Sequence, residues 1–98
     1  MIRGTTPTHI FTLPFAADQI TKLSIAYAQG DEVVLEKVLE DCMLDGNTVS
    51  VQLSEMDTLK FTNRKQAEIQ LRLGIGDARL ASNVIYVTVD RLLREGVL

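Results

Sequence analysis

An apolar side chain at every second position is the feature that most limits what this sequence can fold into. From Gln66 to Leu73 the alternation runs without a slip, with Ala67, Ile69, Leu71 and Leu73 separated by Gln66, Glu68, Gln70 and Arg72. From Thr48 to Leu53 the same period sets Val49, Val51 and Leu53 against Thr48, Ser50 and Gln52. Successive side chains of a strand point to opposite faces, so this is the pattern of a sheet with one face buried and one wet. Ala, Glu, Gln and Leu are good helix formers, yet a helix would spread the four apolar residues of the longer segment around its cylinder. The strand assignment prevails.

Other segments are noisier but agree. His9, Phe11, Leu13 and Phe15 share one face of a first strand, and Ile10, Thr12 and Pro14 share the other. Pro14 has no amide proton to give a ladder, which marks a sheet edge or a strand end. Leu23, Ile25 and Tyr27 form the inner face of a second strand over residues 20–28. Residues 32–39 lose strict alternation around Glu36-Lys37, which reads as a bulge or as a two-sided buried strand with a polar interruption. A last long strand is expected from Arg79 to Val89, with Ile85, Val87 and Val89 facing in.

Turn signals punctuate these runs at Gln29-Gly30-Asp31, Asp45-Gly46-Asn47 and Gly74-Ile75-Gly76-Asp77. Only the connection Ser54–Lys60 is rich in helix formers, and Ser54 and Asp57 have capping-box spacing, with Asp in place of the usual Glu. Residues 90–96 read equally as a short helix closed by Gly96 or as a final strand. Six or seven short strands in 98 residues predict an all-β fold, a two-sheet immunoglobulin-like sandwich with one helical turn near residues 54–60, as a single domain over residues 1–98. The Cys…Trp…Cys signature of antibody domains is absent, so only the architecture is implied.

Charge excludes several partners. Ten basic and thirteen acidic residues leave a formal net charge of −3, without the basic surplus that a nucleic-acid backbone or an anionic membrane attracts. Basic residues are scattered, Arg64-Lys65 being the densest pair. Neither a bilayer-length apolar run nor, in Met1–Pro7, the apolar core of a signal peptide is visible, which points to a cytoplasmic product. A single cysteine, Cys42, precludes an intramolecular disulfide and a multi-cysteine zinc site.

Residues that could carry chemistry do not converge in sequence, and no catalytic, cofactor-binding or metal-ligating set is expected. His9, the one histidine, lies on an apolar strand face with no motif around it and reads as structural. Glu36, Glu40, Asp41 and Asp45, near Asp31-Glu32, lack the every-second-position spacing of a calcium loop and read as a solvated face with a turn. Gly74-Ile75-Gly76 lacks the further glycine, the Lys-Ser/Thr and the following helix of a phosphate cradle. Cys42, beside Met43 and Leu44 and among acidic neighbours, reads as a small core filler rather than a reactive thiol.

Apolar residues recur instead in the last segment, at Leu92, Leu93, Val97 and Leu98. In the plainer reading Leu92 and Leu93 close the bottom of the sandwich. In the functional one the four form a contact surface for another copy or a partner chain. Exposed sheet edges, including the first strand before Pro14, offer a second route through strand addition.

The order of short motifs supports that functional reading. Arg3-Gly4-Thr5-Thr6-Pro7 leads into Phe11-Thr12-Leu13-Pro14-Phe15, then Tyr27-Ala28-Gln29 and Val34-Leu35-Glu36-Lys37. Val51-Gln52-Leu53-Ser54, Thr58-Leu59-Lys60-Phe61 and Ala67–Arg72 follow, and the series ends with Ala81-Ser82-Asn83-Val84-Ile85 and Val89-Asp90-Arg91-Leu92-Leu93. This order resembles small structural proteins of prophage tail modules from Gram-positive bacteria, and is similar to the N-terminal domain of phage baseplate upper proteins. The sequence departs from that pattern at Thr5, where an Asp is common, and in the turn Ser54–Thr58, which only approximates the family's. The resemblance implies a non-enzymatic structural component of a phage or prophage tail or baseplate. Its partners would be other phage structural proteins or copies of itself in a homo-oligomer, in the bacterial cytoplasm during assembly and in the virion of a functional phage. The competing class is a stand-alone binding module for a host polysaccharide or a regulatory protein, for which Tyr27 and Tyr86 are the only candidate stacking residues.

Overall fold

The alternating segments become strands, and glycine sets the turns between them. In the computed structural model, which describes residues 1–63 and 65–98, β1 spans Thr8–Thr12, β2 Lys22–Gln29, β3 Glu32–Val38, β4 Cys42–Asp45 and β5 Thr48–Gln52. After helix α1 (Glu55–Leu59) come β6 (Ala67–Ile75), β7 (Ala78–Ala81) and β8 (Ile85–Val87). Two short 3-10 turns sit at Ala17–Gln19 and Leu39–Asp41. Arg64, half of the densest basic pair, lies outside the described residues. Three hairpins close through two-residue loops beginning at Gly30, Gly46 and Gly76, with φ of +62°, +57° and +56°. Glycine leading the loop matches the hairpin turn that needs positive φ at its first central residue.

The strands form two antiparallel sheets, one of three strands in the order β1-β5-β4, the other in the order β3-β2-β6-β7 with β8 also paired to β6. The fold is an all-β sandwich. Val49, Val51 and Leu53 from one sheet and Leu23, Ile25, Tyr27, Ala67, Ile69, Leu71 and Leu73 from the other are buried, on the faces that the two-residue period assigns them. Phe61 fills the centre and meets the Tyr27 ring edge-on, centroids 5.9 Å apart. α1 starts where the capping residues require. Ser54 Oγ accepts from the Asp57 amide at 3.0 Å and Asp57 Oδ2 from the Ser54 amide at 2.9 Å, so the shorter Asp closes the box as Glu would.

Three details differ from the sequence expectations. The irregularity in β3 lies not at Glu36-Lys37 but two residues before Glu36: Tyr27 pairs with Leu35 and Ala28 with Val33, leaving Val34 as the extra residue. Glu36-Lys37 breaks the hydrophobic pattern for another reason, because Lys37 turns inward to an acidic partner.

The long strand expected over Arg79–Val89 is split into β7 and β8. Ala81 pairs with Arg72 and Ile85 with Ile69, so the β7–β8 side carries one residue more than β6 between these pairs. Ser82 fills the break: its amide donates to the Leu71 carbonyl at 2.8 Å and its hydroxyl accepts from the Leu71 amide at 3.0 Å. Ile85 shares the face of Ile69 but stays 43% exposed at the sheet edge, while Val89 is buried. Residues 90–96 are neither helix nor strand apart from a lone parallel bridge between Ile2 and Asp90.

Candidate interaction surfaces

The two long sides of the sandwich are chemically unlike. On one side β3 runs into β4 through the turn Leu39–Asp41, so the chain itself crosses from sheet to sheet. The crossing is tied by the Val38 amide donating to Asp41 Oδ2 at 2.9 Å and by the Cys42 thiol donating to the Val38 carbonyl at 3.4 Å. Glu32, Glu36, Glu40, Asp41 and Asp45 are exposed along it. This side is closed and acidic.

The other side, between β1 and the β7–β8 edge, is open. No Asp, Glu, Lys or Arg occurs from Gly4 to Ala17, nor from Leu80 to Val89. Between them lies a groove of about 310 Å³, whose walls include Leu13, Pro14 and Phe15 after β1 and Leu71, Leu73 and Leu80 on the facing sheet. Ile10, Leu80, Val84, Ile85 and Tyr86 are all exposed. Within β1 the ladder is framed by the Leu53 amide donating to the Pro7 carbonyl and the Leu13 amide donating to the Asn47 carbonyl. Bonding alternates along an antiparallel strand. The odd-numbered residues therefore face β5, and the amides and carbonyls of Thr8, Ile10 and Thr12 point away from it.

The four residues singled out near the end of the sequence separate into two groups. Leu92 is half-buried and belongs to the fold: its Cδ2 lies 2.8 Å from where a β-carbon on Gly4 would stand, and Leu59 closes the same spot. Leu93 is 87% exposed, and Val97 and Leu98 are exposed as well. Two polar ties hold this segment against α1. Arg3 donates from Nε to the Phe61 carbonyl at 2.6 Å and from Nη2 to the Leu59 carbonyl at 3.0 Å, and its Nη1 pairs with Glu95. The Leu98 amide donates to Glu55 Oε2 at 2.9 Å, next to the exposed side chain of Met56. The sequence pointed to the edge of the first strand but singled out neither Ile10 nor Leu80; the uncharged runs Gly4–Ala17 and Leu80–Val89 were the available signals.

Polar side chains in the interior are paired with one another or with backbone groups. His9 Nδ1 and Tyr27 Oη lie 2.7 Å apart in a hydrogen bond whose direction follows the imidazole tautomer. Burial lowers the His9 pKa below its ordinary value, the positive amino terminus adding to the effect, and burial raises that of the Tyr27 phenol, helped by Cys42 once it is ionised and by the Asp57 carboxylate. Tyr27 is fully buried and offers no stacking surface, whereas Tyr86 is exposed. Burial also raises the Cys42 pKa, with Asp41 acting in the same direction, so the thiol stays protonated and weakly nucleophilic at neutral pH. Gln29, read in the sequence only as part of a turn, is buried and staples the loop before β6. It donates to the carbonyls of Thr62 and Lys65 at 2.8 and 3.0 Å and accepts from the Thr62 amide at 2.8 Å.

Among the described residues, no group of three or more His, Cys, Asp or Glu side chains is placed to hold a metal ion, and no helix is long and apolar enough to cross a membrane. Comparisons with protein-family models, with curated proteins and with solved structures each gave no match.

Proposed function

We propose that this chain is a non-enzymatic structural protein that works by docking, as a component of a phage or prophage tail or baseplate. The observation that carries the docking reading is the uncharged, open side of the sandwich, with apolar groups exposed along β1, β7 and β8. Leu93, Val97 and Leu98 add a second exposed apolar surface next to α1. An apolar edge left uncovered invites aggregation, and a chain that keeps one gains from having a partner for it. The phage assignment is supported by the order of motifs from Arg3-Gly4-Thr5 to Val89–Leu93. On this reading the protein resides in the bacterial cytoplasm until assembly and in the virion afterwards.

Mass spectrometry of particles purified after prophage induction tests it. The expected result is this chain at a fixed copy ratio to the tail proteins. Intact particles lacking the chain, with the chain abundant in the cytosol, would overturn the assignment.

One observation favours the competing module for a host polysaccharide: Tyr86 is 62% exposed on a sheet edge. With Tyr27 buried it stands without a second tyrosine, and sugar platforms gain most from aromatic side chains acting together. Saturable glycan binding that Tyr86→Ala abolishes would establish that reading instead.

A further inference from the structure

We infer that two copies of this chain join through β1, edge to edge and antiparallel, about a two-fold axis at Ile10. The inference rests on the docking reading above and names the partner for one of its surfaces.

The outward backbone groups of this edge form a symmetric set. Thr8, Ile10 and Thr12 point their amides and carbonyls away from β5, as the framing bonds at Pro7 and Leu13 require. Beyond Thr8, the next outward carbonyl, that of Thr6, already accepts from Gln52 Nε2 at 3.5 Å. Beyond Thr12, the next outward position is Pro14, which has no amide proton. Positions 6 and 14 lie equally far from 10, so the usable edge is its own complement when reversed.

Antiparallel pairing centred on Ile10 sets Ile10 against Ile10 of the second copy, Thr8 against Thr12 and Thr12 against Thr8. It forms roughly six backbone hydrogen bonds. Thr–Thr and Ile–Ile neighbours are favourable cross-strand pairs on the outward face. On the inward face His9 comes opposite Phe11. The result is a continuous sheet β4-β5-β1-β1-β5-β4 through both copies.

Charge decides for a second copy at this edge and against one at the acidic side. Homotypic pairing of β1 brings together two segments with no Asp, Glu, Lys or Arg between Gly4 and Ala17. Pairing through β3 or β4 would bring Glu32 and Glu36, or Asp45 with Asp41 just before it, close to the same acidic residues of the second copy. Its bulge at Val34 interrupts the β3 edge as well.

Sedimentation equilibrium over a wide concentration range, on the full chain and on Ile10→Lys and Met43→Lys, tests the inference. Ile10 and Met43 both flank Ser50 on the same outward face, are 65% and 75% exposed, and sit on opposite edges of the sheet. The expected result is a reversible dimer whose Kd rises about tenfold or more in Ile10→Lys and is unchanged in Met43→Lys. Ile10→Cys in a Cys42→Ser background should form a disulfide-linked dimer under mild oxidation, because paired strand residues stand about 5.5 Å apart at Cα. A protein monomeric at millimolar concentration, or a dimer that Ile10→Lys leaves intact, would overturn the inference. The phage assignment is read separately, from particle composition, so either can fail without the other.

Discussion

Lys37 on β3 reaches Asp57 on α1, with Nζ 2.9 Å from Oδ2, and both side chains are mostly buried. The same Oδ2 accepts from the Ser54 amide, so one oxygen caps the helix and anchors it to the edge strand. Burial alone pushes the Asp57 pKa upward, but the Ser54 amide and the Lys37 ammonium outweigh it and hold the carboxyl below its ordinary 3.8. Asp57→Ala removes the carboxylate half of the capping box and strands a mostly buried ammonium, and should cost about 2 to 3 kcal/mol in chemical denaturation. Lys37→Met should cost less, since the Ser54 bonds remain. The sign with pH follows from the lowered value. This carboxylate's contribution is complete above pH 3.8 and is lost as the pH falls through that value toward the folded one. An acid titration should show it flattened in Asp57→Ala.

His9 and Tyr27 give a second, milder pH dependence. Burial keeps the folded imidazole neutral below the ordinary value of 6.5, while the unfolded chain takes up its proton there. Stability from this pair is complete above pH 6.5 and declines as the pH falls below it toward the folded value. Melting temperatures between pH 7.5 and 5 should fall more steeply in the parent chain than in His9→Asn. Tyr27→Phe leaves Nδ1 without its partner and should cost about 1 to 2 kcal/mol with no cavity formed.

Gly4 is where Leu92 is admitted to the fold. Its φ is +75°, and a β-carbon there would meet Leu92 Cδ2 at 2.8 Å. Gly4→Ala therefore combines left-handed strain with displacement of a leucine, and should cost about 1 to 2 kcal/mol. Hydrogen exchange at residues 90–93 should quicken in the same variant, because Leu92 loses its seat.

Cys42 should react slowly. With its thiol half-buried and its pKa raised by burial and Asp41, alkylation by iodoacetamide at pH 7.5 should run more slowly than for free cysteine and accelerate as the pH rises. Asp41→Asn should quicken it by removing a neighbouring negative charge. A rate equal to that of free cysteine would show the thiol to be unperturbed.

The strands were legible because their signal is local. Val49-Val51-Leu53 and Ala67-Ile69-Leu71-Leu73 each bury one face, so the period of two survives in the chain. The Ser54–Asp57 box was legible for the same reason, since cap and partner lie three residues apart. What escaped depends on distant partners. Lys37 breaks the pattern of β3 because of a carboxylate twenty residues on, and Gln29 is buried because a loop more than thirty residues away needs its amide. The break at Ser82 follows from a slip against β6 that no sequence period records. At the candidate surface, Leu92 and Leu93 look alike in sequence, and only Gly4, at the other end of the chain, separates the packed one from the exposed one.

That separation makes the last segment testable. Leu93, Val97 and Leu98 are exposed, and beyond Leu92 the segment is held by the Arg3–Glu95 ion pair and the Leu98 bond to Glu55. Exposed ion pairs contribute about 1 kcal/mol at most, so deleting residues 93–98 should lower the melting temperature by no more than about 4 to 8 °C. The truncated chain should keep its fold and, if these leucines and Val97 are a docking surface, lose incorporation into particles. Leu93→Asp should do the same with every polar tie left in place, which separates loss of the apolar contact from loss of the segment. Incorporation unaffected by both changes would move docking to the β1 side alone. Unfolding on deletion would instead make residues 93–98 part of the core.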